Sequence, residues 1–220
     1  MTKDRTNDPI EWLTSPQSLL PFIEMALKDK SDYAVAVHMG CGSSSFGEFV
    51  LEQPNVSKVI NVDVDANVVQ AMQQRSEALG LNMQFACLDF RTERVPADDA
   101  SIDLVLDKST LDCTLCSDTS TAALLFEVYR ILQVNGTYLM VSFHQQSLLR
   151  PLLELLPWTL QHYTMERQVE SLSGEPLPPH QGHKTPLNVF LCTKSANANH
   201  LDATTEQLTE RIHQVNDVNA

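Results

Sequence analysis

Apolar positions in this chain recur with two different periods, and the periods alternate. Residues 10–28 read as a short lead-in followed by an amphipathic helix, with Leu19, Leu20, Ile23 and Leu27 at helical spacing. Short β-branched runs follow at 33–39 (YAVAVHM), 58–64 (KVINVDV), 82–88, 102–107 and 137–143. Between them lie helical patterns. One covers 45–53, another 66–79 with Val68, Val69, Met72 and Leu79 on one face, and a third 119–132 with Leu124, Leu125, Val128, Ile131 and Leu132 aligned. Strands separated by helices at this rhythm predict βαβ units and a mostly parallel sheet covered on both faces, a doubly wound α/β domain.

The rhythm breaks near the end. A short helix is expected around 148–156, then extended segments at 158–172 and 188–194, separated by the Pro/Gly-rich stretch SGEPLPPHQGHKTP. Such a stretch cannot be a crossover helix, so the two segments predict an antiparallel pair at a sheet edge. From Ala196 the composition turns polar. The tail predicts a frayed terminus; the alternative is a helix that packs Leu201, Leu208, Ile212 and Val215 on the body or on a partner. The organisation expected is therefore 1–30 lead-in and helix, 31–195 main domain, and 196–220 polar tail, helical or disordered.

Composition limits what such a domain could do. The chain has 220 residues, 43% hydrophobic and 20% charged, enough for one compact domain. No apolar run reaches the roughly 18 residues of a membrane span. The opening MTKDRTNDPI resembles neither a secretory signal nor an acid-poor transit peptide, so a cytoplasmic protein is expected, with no membrane partner. Lys and Arg number 15 against 28 Asp and Glu, a net charge of −13. With no basic stripe, nucleic acid is not an expected partner, whereas a basic protein or an amine suits an acidic surface. The five cysteines, Cys41, Cys87, Cys113, Cys116 and Cys192, form no disulfide framework. Cys113 and Cys116 have CxxC spacing without a second pair, and His180 and His183 stand alone, so no metal site is expected.

The candidate chemistry sits at strand ends. Gly40-Cys41-Gly42 follows the first strand and opens a helix, which lets backbone approach a ligand. Asp63 ends the second strand, 21 positions beyond Gly42, where an acid accepts hydrogen bonds from the ribose hydroxyls of a nucleoside cofactor. A dinucleotide fingerprint would want glycine or alanine at the position of Ser45. Asp89 follows the third strand and Asp107 ends the fourth, so four successive strand ends bring glycines and acids to one side of the sheet.

Taken together, HMGCGSSSFGE (38–48), VINVDVDANVV (59–69) and LDF (88–90) resemble the class I, seven-stranded S-adenosylmethionine-dependent methyltransferases, a Rossmann-like fold whose terminal hairpin matches 158–194. The likeness covers about residues 10–194. The lead-in IEWLTSPQSLLPFI (10–23), SIDLVLDKSTLDCTLC (101–116) and ALLFEVYRILQVNGTYLMVSF (123–143) are similar to the subgroup of elongation factor 1A and citrate synthase lysine methyltransferases. That subgroup carries an Asp-Lys-Gly-Thr-type segment after the fourth strand; here Ser109 replaces the glycine. His38 stands where many class I enzymes have an acid.

The resemblance implies S-adenosylmethionine as cofactor, with S-adenosylhomocysteine as product. It places Gly40 and Gly42 at the methionine part, Asp63 at the ribose, and Asp89 and Phe90 at the adenine, with Cys41 and Val64 as further cofactor contacts. Trp12 would belong to an N-terminal lid, and Asp107 with 108–112 would border the acceptor, Asp107 being the catalytic candidate and also a cofactor contact. A lysine with a pKa near 10.4 needs about 4–5 kcal/mol to reach its neutral form at pH 7, and a carboxylate could orient the amine and receive a proton. Lys108 is expected to pair with Asp112, and His144 to be a cap or solvated. The function expected is methylation of a protein lysine. Alternatives are a small-molecule methyltransferase, a non-catalytic nucleoside-binding scaffold, and a dinucleotide oxidoreductase, the last weakened by Ser45.

Overall fold

The computed structural model describes residues 9–167, 186–196 and 203–219. Seven strands form one sheet: β1 (Ala34–Met39), β2 (Val56–Asp63), β3 (Met83–Cys87), β4 (Ile102–Lys108), β5 (Leu132–Ser142), β6 (Trp158–Met165) and β7 (Leu187–Lys194). Their order across the sheet is β3-β2-β1-β4-β5-β7-β6. The first five in that order are parallel, and β7 lies antiparallel between β5 and β6. The doubly wound sheet and its antiparallel end are as the sequence predicts.

Among the described residues the α-helices are α1 (Leu20–Leu27), α2 (Phe46–Leu51), α3 (Ala66–Leu79), α4 (Thr110–Thr114), α5 (Asp118–Ile131), α6 (Gln146–Leu153) and α7 (Thr205–Asn219). A 3-10 turn at Pro16–Leu19 leads into α1. Strand β4 is buried along its whole length, which requires cover on both faces, and two clusters provide it. On one face Val37, Met39, Ile60 and Val105 pack under α5, α6 and α7; on the other Ala34, Ala36, Leu104 and Leu106 pack under α1 and α2. Asp65 caps α3 by accepting from Asn67 N and Val68 N, and Gly80 ends it at φ +67.

Three elements depart from expectation. Strand β5 starts at Leu132, five residues early, because Leu132 pairs with Ile102 across an irregular register before the regular ladder begins at Leu104 and Thr137. Helix α4 is a single turn, too short to leave a periodic signal, and it starts after Ser109 at φ +75. The tail is not frayed over 205–219. Thr204 Oγ1 accepts from Gln207 N at 3.3 Å and Gln207 Oε1 accepts from Thr204 N at 3.0 Å, a reciprocal capping box. Leu208 and Ile212 then lie fully buried, and Asn216 and His213 reach Asp118. A narrow apolar stripe in a polar helix suffices for an outer layer. Residues 168–185, with His180 and His183, and Leu201 lie outside the described residues.

Candidate functional site

The strand order reverses between β1 and β4, so their carboxyl ends diverge into loops on opposite sides of a crevice. A cavity of about 580 Å³ opens there. Its first wall is the loop after β1. Gly40 has φ +58, and a Cβ on it would stand 2.3 Å from Thr110 Oγ1, the hydroxyl that donates to Met39 O at 2.7 Å. Gly42 has φ +51, and a Cβ there would meet nothing within 4 Å. Gly40 thus lets two loops touch, while Gly42 leaves open space beside backbone. Cys41 is buried, and burial with Asp63 nearby pushes its thiol up to about 12, so it stays protonated.

Asp63 ends β2 and lines the cavity with Val64. Its Oδ2 accepts from Gly42 N at 2.8 Å and its Oδ1 from Asp65 N at 3.0 Å. A carboxylate offers about four acceptor positions, so both oxygens retain capacity for hydroxyl donors. Asp89 and Phe90, after β3, also line the cavity. The Asp89 carboxylate is turned toward Arg91, accepting from its Nε and, at 2.6 Å, its Nη2, and the hydrogen bonds from Arg91 hold it below the usual carboxylate range. Trp12 lines the rim and stays 56% exposed, with the Arg167 guanidinium 5.8 Å above its ring.

Two expectations are corrected. Asp107 is 0% exposed and does not line the cavity. Its carboxylate accepts from Thr110 N at 2.7 Å, Leu111 N at 3.1 Å and Tyr138 Oη at 2.6 Å, and burial pushes it up to about 7. It shapes the turn into α4 from beneath, and its carboxylate stands behind the cavity wall that Lys108, Ser109 and Thr110 form. Lys108 does not pair with Asp112; its ammonium lies 2.9 Å from Glu11. Asp112 accepts instead from Ser109 Oγ at 2.8 Å and from Ser142 Oγ, which ties the β4 loop to the end of β5.

His144 is half-buried, stacked on Phe143, and donates its backbone N–H to Ser142 Oγ. His38 is 1% exposed, contributes to the cavity wall, and stands edge-on to Phe46. Burial, then Lys108, pushes its imidazole down to about 3, so it is neutral at physiological pH.

The sequence pattern does not single out Glu11, which accepts from Ser44 and Ser45, nor the link that the Thr110 hydroxyl, within the 108–112 segment, makes between the two loops. Glu11 sits in a lead-in with no periodic pattern, and only its place beside Trp12 could have drawn notice. Among the described residues, no cluster of three or more His, Cys, Asp or Glu is placed to hold a metal, and no helix is long and apolar enough to cross a membrane.

A methyltransferase-domain family model matches residues 36–136, the segment from β1 through the glycine loop, β2, β3 and β4 into β5. The chain is 27% identical over 203 residues to the "eEF1A lysine and N-terminal methyltransferase" of Bos taurus, covering 87% of this chain and 27% of the relative. The mouse relative of the same name is 29% identical over 153 residues, covering 67% of this chain and 21% of the relative. The chain thus spans about a quarter of the length of these curated relatives. Among solved structures, the YcgJ protein of Bacillus subtilis superposes with a TM-score of 0.58 at 14% identity, over 81% of this chain and 98% of that one. The N-methyltransferase NodS of Bradyrhizobium japonicum, solved with S-adenosylhomocysteine, gives 0.56 at 13% identity, over 81% and 86%. The matched model marks a methyltransferase domain over residues 36–136, and fold and cavity resemble those of the class I, S-adenosylmethionine-dependent methyltransferases. Within that class the chain resembles the elongation factor 1A lysine methyltransferases.

The residues fit that cofactor. The open space at Gly42 is what a close-approaching methionine part needs, and Asp63 keeps free acceptor positions for a ribose. Bound there, S-adenosylmethionine supplies a methyl group on a sulfonium, ready for an amine or other nucleophile. Of the residues that line the cavity, Asp63 would hold the nucleoside, Phe90 would flank the base, and Ile10 and Trp12 would limit water at the rim.

Proposed function

We propose that this domain methylates an amine of a protein substrate, a lysine side chain in the first place. The observation that carries the reading is an open acceptor side. Ile10 and Trp12 at the cavity rim keep 63% and 56% of their surface exposed, and α4 with the residues around it spans only nine positions between β4 and α5. No inserted cap encloses a small molecule among the described residues, so an acceptor presented on a protein segment suits the site. The charge of −13 favours a basic segment, and the extended likeness to relatives named for lysine methylation of elongation factor 1A supports the same class. The printed name of those relatives also includes N-terminal methylation, which makes an α-amine the second reading.

With Asp107 sealed off, positioning accounts for most of the catalysis: the amine must meet the methyl group in line, inside a rim that excludes water. The test begins with calorimetric binding of S-adenosylmethionine and S-adenosylhomocysteine to wild type and Asp63→Ala. Micromolar binding that Asp63→Ala abolishes is expected, and failure of wild type to bind either sinks the reading. Incubation of a cell lysate with isotopically labelled donor, followed by peptide mass spectrometry, then separates the acceptors. Label on lysine ε-amines is the expected result. Label on α-amines selects the second reading, and label confined to the small-molecule fraction rejects both.

A further inference from the structure

Glu11 and Lys108 are 97 positions apart, yet one carboxylate ties together three parts of the molecule. Glu11 Oε1 accepts from Ser45 N and Ser45 Oγ, both at 2.7 Å. Its Oε2 accepts from Ser44 Oγ at 2.7 Å and from Lys108 Nζ at 2.9 Å. Lys108 Nζ also donates to Trp12 O at 2.9 Å, and Ile10 N donates to Ser43 O at 3.1 Å. Residues 10–12 are thereby strapped across the donor loop after β1 and the end of β4. Ile10, Trp12, Ser44 and Lys108 line the cavity, whereas Glu11 does not.

The chemistry of the strap matters as much as its geometry. The Lys108 side chain is 2% exposed, so its charge has little water to screen it. That ammonium belongs to the wall of a cavity whose ligand carries a sulfonium cation before methyl transfer and a neutral thioether after it. A cation in the wall without its counter-ion opposes the first form and tolerates the second.

We propose that Glu11 is a positioning residue, a latch that seats Ile10 and Trp12 over the cavity and neutralises Lys108 so that the cationic methyl donor is accepted. The inference rests on the reading of the cavity as an S-adenosylmethionine site. Glu11 acts through Lys108 and the serines and touches no reacting atom. Its removal has two separable consequences: the rim loosens, and the balance between cationic donor and neutral product shifts toward product.

The experiment is calorimetric titration with S-adenosylmethionine and, separately, S-adenosylhomocysteine of wild type, Glu11→Gln, Lys108→Met and the double variant. It is paired with fluorine NMR of 5-fluorotryptophan-labelled protein. The chain has two tryptophans, Trp12 at the rim and Trp158 in the core, and Trp158→Phe assigns the lines. Glu11→Gln is expected to lose about tenfold in affinity for the methyl donor and about threefold for the product, with the Trp12 line moved to a solvent-like position. The double variant, having no stranded charge, is expected to recover the wild-type ratio of the two affinities while the Trp12 line stays displaced.

Equal losses for both ligands in Glu11→Gln, or an unmoved Trp12 line, overturn the proposal. If Glu11→Gln does not fold, the double variant decides: a wild-type ratio with a displaced line upholds it, and a wild-type line overturns it. Should wild type bind neither ligand, the cofactor reading itself fails and the latch falls with it. Tight wild-type binding with an unaffected Glu11→Gln removes the latch alone.

Discussion

The hydroxyl of Tyr138 donates to the carboxylate of Asp107 at 2.6 Å, in a place closed to solvent. The pair joins the end of β4 to β5 beneath the turn into α4. Burial and the neighbouring Asp107 hold the phenol well above its ordinary range, so Tyr138 remains a donor. Both groups are thus committed to structure.

The first prediction follows from that commitment. Burial pushes Asp107 up to about 7 in the folded protein, whereas an unfolded carboxyl titrates near about 3.9. The native state therefore holds more protons between those values. The contribution of this group is fully present below pH 4, declines as pH rises, and is lost above 7. In Asp107→Asn, melting temperature should depend less steeply on pH between 4 and 8 than in wild type, with donor affinity kept within about threefold. Asp107→Ala should cost about 2–4 kcal/mol, because Tyr138 and two backbone amides lose their acceptor in a dry site. A steeper profile in Asp107→Asn, or loss of donor binding with the fold intact, would return Asp107 to the ligand site.

The two glycines of the donor loop should fail differently. Gly40→Ala drives a methyl into Thr110 and breaks its bond to Met39 O, so both stability and donor binding should suffer. Gly42→Ala meets no protein atom, and its left-handed backbone costs only about 1–2 kcal/mol. Thermal melts of Gly42→Ala should show that modest loss, while calorimetry shows donor affinity down by at least about tenfold. Near-normal affinity in Gly42→Ala would mean that the open space there is not where the ligand lies.

What the sequence disclosed and what it hid have the same physical origin. Strands β1, β2 and β4 are apolar because both their faces are covered, and the glycines after β1 and the acids at the ends of β2 and β4 stand out against that background. Gly40, Gly42 and Asp63 were visible for this reason, Asp89 only as the next strand end after the half-exposed edge strand β3, and all four line the cavity. Asp107 ends its strand in the same way, yet it points beneath the following turn. A strand-end position says which edge of the sheet a residue reaches and not which side of the loop its side chain takes. Glu11 was invisible because its partners, Ser44, Ser45 and Lys108, come together only through the tertiary fold. Helix α7 was misjudged on mean polarity, although Thr204 and Gln207 spell a capping box and Leu208, Ile212 and Val215 fall at helical spacing.

Ser109 holds φ +75 in a position where the resembling subgroup carries glycine, and it donates to Asp112 at 2.8 Å. A left-handed side-chain residue pays about 1–2 kcal/mol in strain, and the hydrogen bond to a carboxylate offsets a similar amount. Ser109→Gly should consequently lie within about 1 kcal/mol of wild type in denaturant melts, trading strain for the lost bond. Ser109→Ala keeps the strain and loses the bond, so it should be less stable than Ser109→Gly by about 1 kcal/mol. Equal stability of the two variants would show that the backbone at 109 carries no penalty.

Helix α7 provides the last test, since its apolar stripe closes the outer layer over α5 and α6. Leu208 and Ile212 are fully buried and belong to the same cluster as Leu124, Leu125 and Val128 under the sheet. Truncating a buried leucine or isoleucine to alanine costs about 2–5 kcal/mol when the site cannot collapse. The exposed Val218, one turn beyond that stripe, should tolerate alanine within about 0.5 kcal/mol. Leu208→Ala and Ile212→Ala should each lower the unfolding midpoint well beyond Val218→Ala, and without changing the affinity for S-adenosylhomocysteine, because none of these residues lines the cavity. The capping pair adds an independent check. Thr204→Ala removes the acceptor for Gln207 N, so it should cost about 1 kcal/mol, and serine at 204 should restore it. If all four variants melt with wild type, α7 does not pack on the body in solution, and the polar composition of the tail describes it better than its buried stripe.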